Sequence, residues 1–158
     1  MQVKVYTDGS ARGNPGNGGY GIVMVSGKHR KELSAGYRYT TNNRMELLAV
    51  IVAIQQLKFP NTEVDIYTDS KYVCEAIEKR WVFGWHAKNF AGKKNADLWR
   101  EFLKIYSKHK IKMHWVKGHA GHVENERCDL LATQAADGGN LLVDTQYELE
   151  SKNANGLV

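Results

Sequence analysis

Two short segments of the chain echo one another: Val5-Tyr6-Thr7-Asp8-Gly9-Ser10 and Ile66-Tyr67-Thr68-Asp69-Ser70. Each reads as the end of a β-strand closed by an aspartate, which shares a face with the tyrosine two residues before it. If the two strands are parallel neighbours, both carboxylates emerge in the crevice beyond the strand ends, where α/β folds bind ligands. Glu46 heads an apolar helical stripe of Ala49, Val50, Ala53 and Leu57. Its carboxylate therefore points partly inward, where an unpaired charge is expensive. Asp129 repeats the pattern ahead of Ala132, Thr133 and Ala136. Four such acids brought together would repel, and divalent cations that prefer oxygen ligands, Mg²⁺ or Mn²⁺, would remove the repulsion.

Taken singly, each acid also has a plainer reading. Asp8-Gly9 is a common turn pair, and Asp69-Ser70 a common helix start. Glu46 could reach back to the amide of Asn43 as a capping box, and Asp129 could be a polar residue beside a small-residue face. His119 and His122 lie in a glycine-flanked loop. Their spacing, with Cys128, lacks the second ligand pair that zinc needs. A mobile imidazole that moves protons suits His119 better, and an ordinary surface loop accounts for His122.

The elements that must position these residues follow from periodicity. Residues 2–8 alternate as a strand, and residues 20–26 and 32–40 read as two more after a glycine-rich turn over 9–19. Short connections make these three an antiparallel meander. Residues 43–58 switch to helical spacing and stop at Pro60. Strand 63–69, helix 70–79, helix 97–108, strand 111–116 and helix 123–136 follow. Between the helices, residues 79–96 hold five Lys or Arg, four aromatic residues and no acid. The spacing predicts Trp85 and Phe90 as packing residues there. The order is that of an α/β protein in which the first strand joins an antiparallel meander to a parallel region.

The chain's 158 residues suffice for one domain with a real core, and its composition, 42% hydrophobic and 25% charged, is that of a globular protein. A net charge of +5 permits a polyanionic partner without requiring one. Cys74 and Cys128 form neither a disulfide framework nor a CxxC site. The start of the chain has no signal-peptide pattern, and the longest apolar run, Leu47 to Ile54, is too short to span a bilayer. A cytoplasmic protein with no membrane attachment is expected.

The segments TDGSARGNPGNGGYG, TTNNRMEL, IYTDS and WVKGHAGHVENERCDLLA, in this order, resemble ribonuclease H of the bacterial type 1 class, from about residue 2 to 147. The resemblance implies a ribonuclease H-like α/β fold, a five-stranded mixed sheet with helices on both faces. It implies a catalytic domain over residues 1–137 and a C-terminal tail, 138–158, that is partly packed or flexible. The implied reaction is hydrolysis of the RNA strand of RNA–DNA hybrids, leaving 5′-phosphate and 3′-hydroxyl ends, with two Mg²⁺ ions (Mn²⁺ as a substitute) about 4 Å apart. On this resemblance Asp8 bridges both ions, Asp129 serves the nucleophile side, Glu46 and Asp69 serve the leaving side, and His119 assists proton movement or product release. Gly9, Ser10, Asn14, Asn42, Asn43 and Glu46 match positions that approach RNA. Thr41 with Asn14 matches a DNA-phosphate pocket, and Trp81 a surface for the DNA sugar. Lys88, Lys93 and Lys94 belong to a shortened version of the family's basic protrusion. The expected partner is a hybrid duplex, and the expected state a monomer.

The chain departs from the familiar pattern at Lys71, where a glutamine is usual at a substrate-contacting position, and at Val123, which replaces a proline. Two other readings compete: a hybrid- or duplex-binding module without catalysis, and another nuclease of the same broad fold such as a junction resolvase or integrase core. The intact set of acids argues against the first. The TTNNRMEL and GHAGHVENERCD contexts argue against the second. A general sugar-phosphate metalloenzyme ranks below both.

Overall fold

A computed structural model describes residues 2–118 and 122–154. Its sheet contains β1 (Gln2–Ala11), β2 (Gly16–Ser26), β3 (His29–Thr40), β4 (Glu63–Thr68), β5 (Lys110–Trp115) and the two-residue β6 (Leu141–Leu142), in the order β5-β4-β1-β2-β3-β6. β1 pairs antiparallel with β2 and parallel with β4, β4 pairs parallel with β5, and β2 pairs antiparallel with β3. The architecture is the expected mixed sheet, with six strands instead of five. The extra strand pairs Leu141 and Leu142 with Gly36 and Tyr37 in parallel, and two residues are too few to carry a readable period.

The helices are α1 (Asn42–Gln55), α2 (Lys71–Glu78), α3 (Trp81–Ala87), α4 (Ala96–Tyr106), α5 (Val123–Ala136) and α6 (Thr145–Ala154). α1 is buried on almost every side, Met45, Leu47, Ala49, Val50 and Ala53 being fully inaccessible. It lies between the sheet and α4, whose Trp99 and Phe102 complete the core. Trp85 packs edge-on against Trp99, and Phe90 is buried, so both act as packing residues.

The three strands of the meander run further than their period suggested. The stretch 9–19, expected as a turn, supplies the end of β1 and the start of β2, because its glycines carry close packing rather than a loop. A Cβ on Gly21 would fall 2.3 Å from the Cys128 carbonyl oxygen, and one on Gly19 2.3 Å from that of Ala132. α5 thus lies directly on the β2 backbone, and the neighbouring Gly18 turns the other way, towards Met45 of α1. The two helices that carry Asp129 and Glu46 are held on opposite faces of the sheet.

Candidate active site

Asp8 sits near the end of β1, and Asp69 follows the last residue of β4. The parallel register pairs Tyr6 with Tyr67, whose rings stack with centroids 5.1 Å apart. Two residues further along, both aspartates leave the sheet at its carboxyl edge. Glu46 reaches the same place from α1 because Gly9 admits the helix: a Cβ there would lie 2.4 Å from the Glu46 amide nitrogen. Carboxylate oxygens of Asp8, Glu46 and Asp69 lie within 4.8 Å of one another.

The expected capping box does not form. Thr41 caps α1, its Oγ1 accepting from the Arg44 amide at 3.2 Å, so the helix starts earlier and Asn43 lies inside its first turn. Thr41 follows β3 in an extended conformation, which sets the helix start ahead of the one that Asn43 and Glu46 suggested. Glu46 is thereby left to the site. Its side chain is buried, and its Oε1 has no hydrogen-bond partner. Burial, then the neighbouring charges of Asp8 and Asp69, hold its carboxyl well above the ordinary range. Such a group needs either a proton or a cation, and an all-oxygen donor set suits a hard divalent ion.

Asp129 lines the same cleft, of about 410 Å³, together with Gly9, Ser10, Asn42 and Asn43. It does not point inward as its helical stripe suggested: it is exposed at the rim, while Ala132 and Ala136 take the buried face of α5. It stands outside the tight group of three acids. Asn125, fully buried one turn before it, donates from Nδ2 to the Tyr67 carbonyl at 3.1 Å. This bond clips the helix of Asp129 to the strand that leads into Asp69.

An adjoining groove of about 690 Å³ gathers Asn14, Thr41, Asn42, Asn43, Lys93 and Lys94, with Tyr147 and Glu150 of α6 on its far wall. Asn14 Oδ1 accepts from the Asn42 amide at 2.9 Å, which fixes the loop against the start of α1. Trp81 is exposed on α3 with the Lys79 ammonium 5.2 Å from its ring centroid, and Lys88 caps that helix. Neither Trp81 nor Lys88 lines the two cavities. His119 lies outside the described residues.

Sequence reasoning missed Arg44, Asn125 and Asp144, all of which support the site without entering it. Arg44, 1% exposed, receives two carboxylates: Asp144 at 2.7 and 2.9 Å, and Asp97 at 2.9 and 2.7 Å. A signal existed, since an arginine inside an apolar helix must find partners. Which acids would meet it was not readable from spacing.

Comparison with known proteins places this geometry. The RNase H family model matches residues 1–137. The ribonuclease H of Desulforamulus reducens is 54% identical over 150 residues, covering 92% of this chain and 94% of that protein. That of Trichodesmium erythraeum is 49% identical, covering 93% and 96%. The crystal structure of LC9-RNase H1, a type 1 RNase H with the type 2 active-site motif, superposes with a TM-score of 0.78 at 33% identity, covering 95% of this chain and 80% of that one. LC11-RNase H1 in complex with an RNA/DNA hybrid gives a TM-score of 0.65 at 27% identity, covering 85% and 96%. A carboxylate trio at the ends of two parallel strands, on a fold shared with these proteins, leads to one conclusion: the chain belongs to the ribonuclease H family and is a metal-dependent endoribonuclease.

Proposed function

We propose that this chain hydrolyses the RNA strand of RNA–DNA hybrids, leaving 5′-phosphate and 3′-hydroxyl ends. The observation that carries the reading is Glu46: a buried carboxylate with an unpartnered oxygen, facing Asp8 and Asp69. Asp8, Glu46 and Asp69 would hold divalent cations, two Mg²⁺ ions with substrate bound and Mn²⁺ as a substitute, with Asp129 completing the set from the rim. Bound at these carboxylates, divalent cations would supply charge stabilisation at the phosphate and a more acidic water. The chain's own part is placement. Gly9, Ser10, Asn42 and Asn43 border the acids, where backbone and amide groups can meet the RNA 2′-hydroxyls. Asn14, Thr41, Lys93 and Lys94 line the groove for the DNA phosphates, and Trp81 and Lys88 extend the contact along the duplex. His119 moves the proton or eases product release.

The catalytic domain spans residues 1–137, with the C-terminal segment buttressing it, and the enzyme acts as a cytoplasmic monomer. Two buried, unpaired cysteines suit a reducing compartment.

The test incubates one labelled RNA as a hybrid, as a single strand and as duplex RNA with Mg²⁺, Mn²⁺ or EDTA, then repeats the series with Asp8→Asn. Cleavage is expected only in the hybrid, only with metal and only by the unaltered protein. Equal cutting of single-stranded RNA, or full activity of Asp8→Asn, would overturn the reading.

A further inference from the structure

Lys71 is the first residue of α2, next but one to Asp69, and it lines the same cleft as the three acids. Its ammonium pairs with none of them: among the described residues it forms no ion pair. It rests instead over the Trp115 ring, 4.6 Å from the centroid. Trp115 is 43% exposed and is fixed at the lip of the site by its own bond, the indole Nε1 donating to the Asp69 carbonyl at 3.1 Å. Glu75, one turn along, stands where a helical partner for Lys71 would be, yet it pairs with Lys79. A cation on the first turn of a helix also opposes the helix dipole. Lys71 therefore has an exposed ammonium beside the site, held by a weak contact with a solvated ring and by the more distant charge of Glu75.

We propose that Lys71 is a phosphate clamp for the RNA strand. In the free protein its ammonium is parked on Trp115, and on hybrid binding it swings to a non-bridging oxygen of a backbone phosphate at the mouth of the carboxylate cleft. A charge-assisted contact with a phosphate outcompetes an exposed cation–π contact, so the exchange runs forward once the strand arrives. The fixed ring keeps the side chain folded beside the cleft, where it meets the strand without a long search through rotamers. A neutral side chain at this position offers hydrogen bonds but does not release a counterion, so the clamp adds a salt-sensitive term that belongs to this chain's lysine. The inference rests on the proposed reading of the site as one that takes an RNA–DNA hybrid.

The test compares wild type, Lys71→Met and Lys71→Arg. Equilibrium binding of a fluorescent hybrid is measured by anisotropy across a salt series in metal-free buffer, and kcat/KM on the same hybrid in Mg²⁺. Lys71→Met keeps the packing on Trp115 and removes the charge. It is expected to flatten the log–log salt dependence of binding by about 0.7–0.9, the share of one phosphate. Its deficit in kcat/KM should be several-fold at low salt and shrink as salt rises, while Lys71→Arg keeps the wild-type slope. An unchanged slope in Lys71→Met overturns the clamp. So does a loss confined to kcat or to metal affinity, which would mean that the lysine acts on the carboxylates. A wild type that binds the hybrid but does not cut it would sink the proposed function and leave the clamp to be judged on the binding slopes alone.

Discussion

α1 carries two buried charges two residues apart, and they meet opposite fates. Arg44 receives Asp97 and Asp144 in paired hydrogen bonds, so that its guanidinium is matched within the fold. Glu46 faces two more acids and keeps an oxygen without a partner. The first cluster is a structural knot, which ties α4 and the C-terminal segment to the start of α1. The second sets a buried carboxyl against two more acids, a repulsion that a proton or an external cation would relieve. Burial alone does not distinguish a functional charge from a structural one; whether the fold supplies its counter-charge does.

The largest expected effect breaks the functional side of the comparison. Asp8→Asn or Glu46→Gln should lower kcat by about a thousand-fold, the scale of ~4 kcal/mol of transition-state stabilisation. Calorimetric melting of the metal-free Glu46→Gln protein should show a rise, roughly 2–4 °C for each ~1 kcal/mol of repulsion relieved. Activity and stability thus move in opposite directions. An equal loss of both would show that Glu46 is structural.

Breaking the knot should do the reverse. Arg44→Ala leaves Asp144 and Asp97 without their buried partner and should destabilise the fold by about 3–5 kcal/mol in urea unfolding. Residual activity should then track the folded fraction. A stable but inactive Arg44→Ala protein would make the knot part of the catalytic apparatus.

The pH dependence separates the clusters by sign. Glu46 is held above its unfolded pKa by burial and by Asp8 and Asp69, so the folded state binds its proton more tightly. That contribution is full below the unfolded value and is lost as pH rises through the folded one. At Asp97, burial pushes the carboxyl up, but the bonds and charge of Arg44 outweigh it and hold it below its usual range. Its contribution is present above the unfolded value and is lost as pH falls through the folded one. Metal-free melting of Glu46→Gln should therefore exceed wild type by more at neutral than at acid pH, whereas Asp97→Asn should lag wild type more at neutral pH. Matching trends in the two variants would contradict the assignment.

Least affected should be the surface pair Arg12–Asp137, both side chains being more than half exposed. Arg12→Ala should leave the midpoint of the same urea unfolding where it is in wild type, since an exposed ion pair is screened by solvent.

The legible parts of the molecule were those written in local pattern. The echoed Tyr-Thr-Asp segments placed Asp8 and Asp69 at strand ends, and the apolar stripe behind Glu46 marked a carboxylate with nowhere polar to go. What stayed hidden depended on contacts between distant residues. Gly19 resembles a turn residue until α5 is laid upon it, because a missing Cβ matters only once the neighbouring backbone is known. Asp129 shared its helical stripe with small residues, yet packing on β2 turned that stripe so that the alanines went in and the acid stayed at the rim. Asp144 lies at a segment end that carries no period of its own, and its burial follows from Arg44, a hundred residues earlier.

The most direct measurement is an anomalous-scattering map from crystals of the protein soaked in Mn²⁺. A manganese peak is expected within coordination distance of carboxylate oxygens from Asp8 and at least one of Glu46 and Asp69, lost in crystals of Asp8→Asn. Manganese bound only elsewhere, with the three carboxylates left sharing protons, would contradict it.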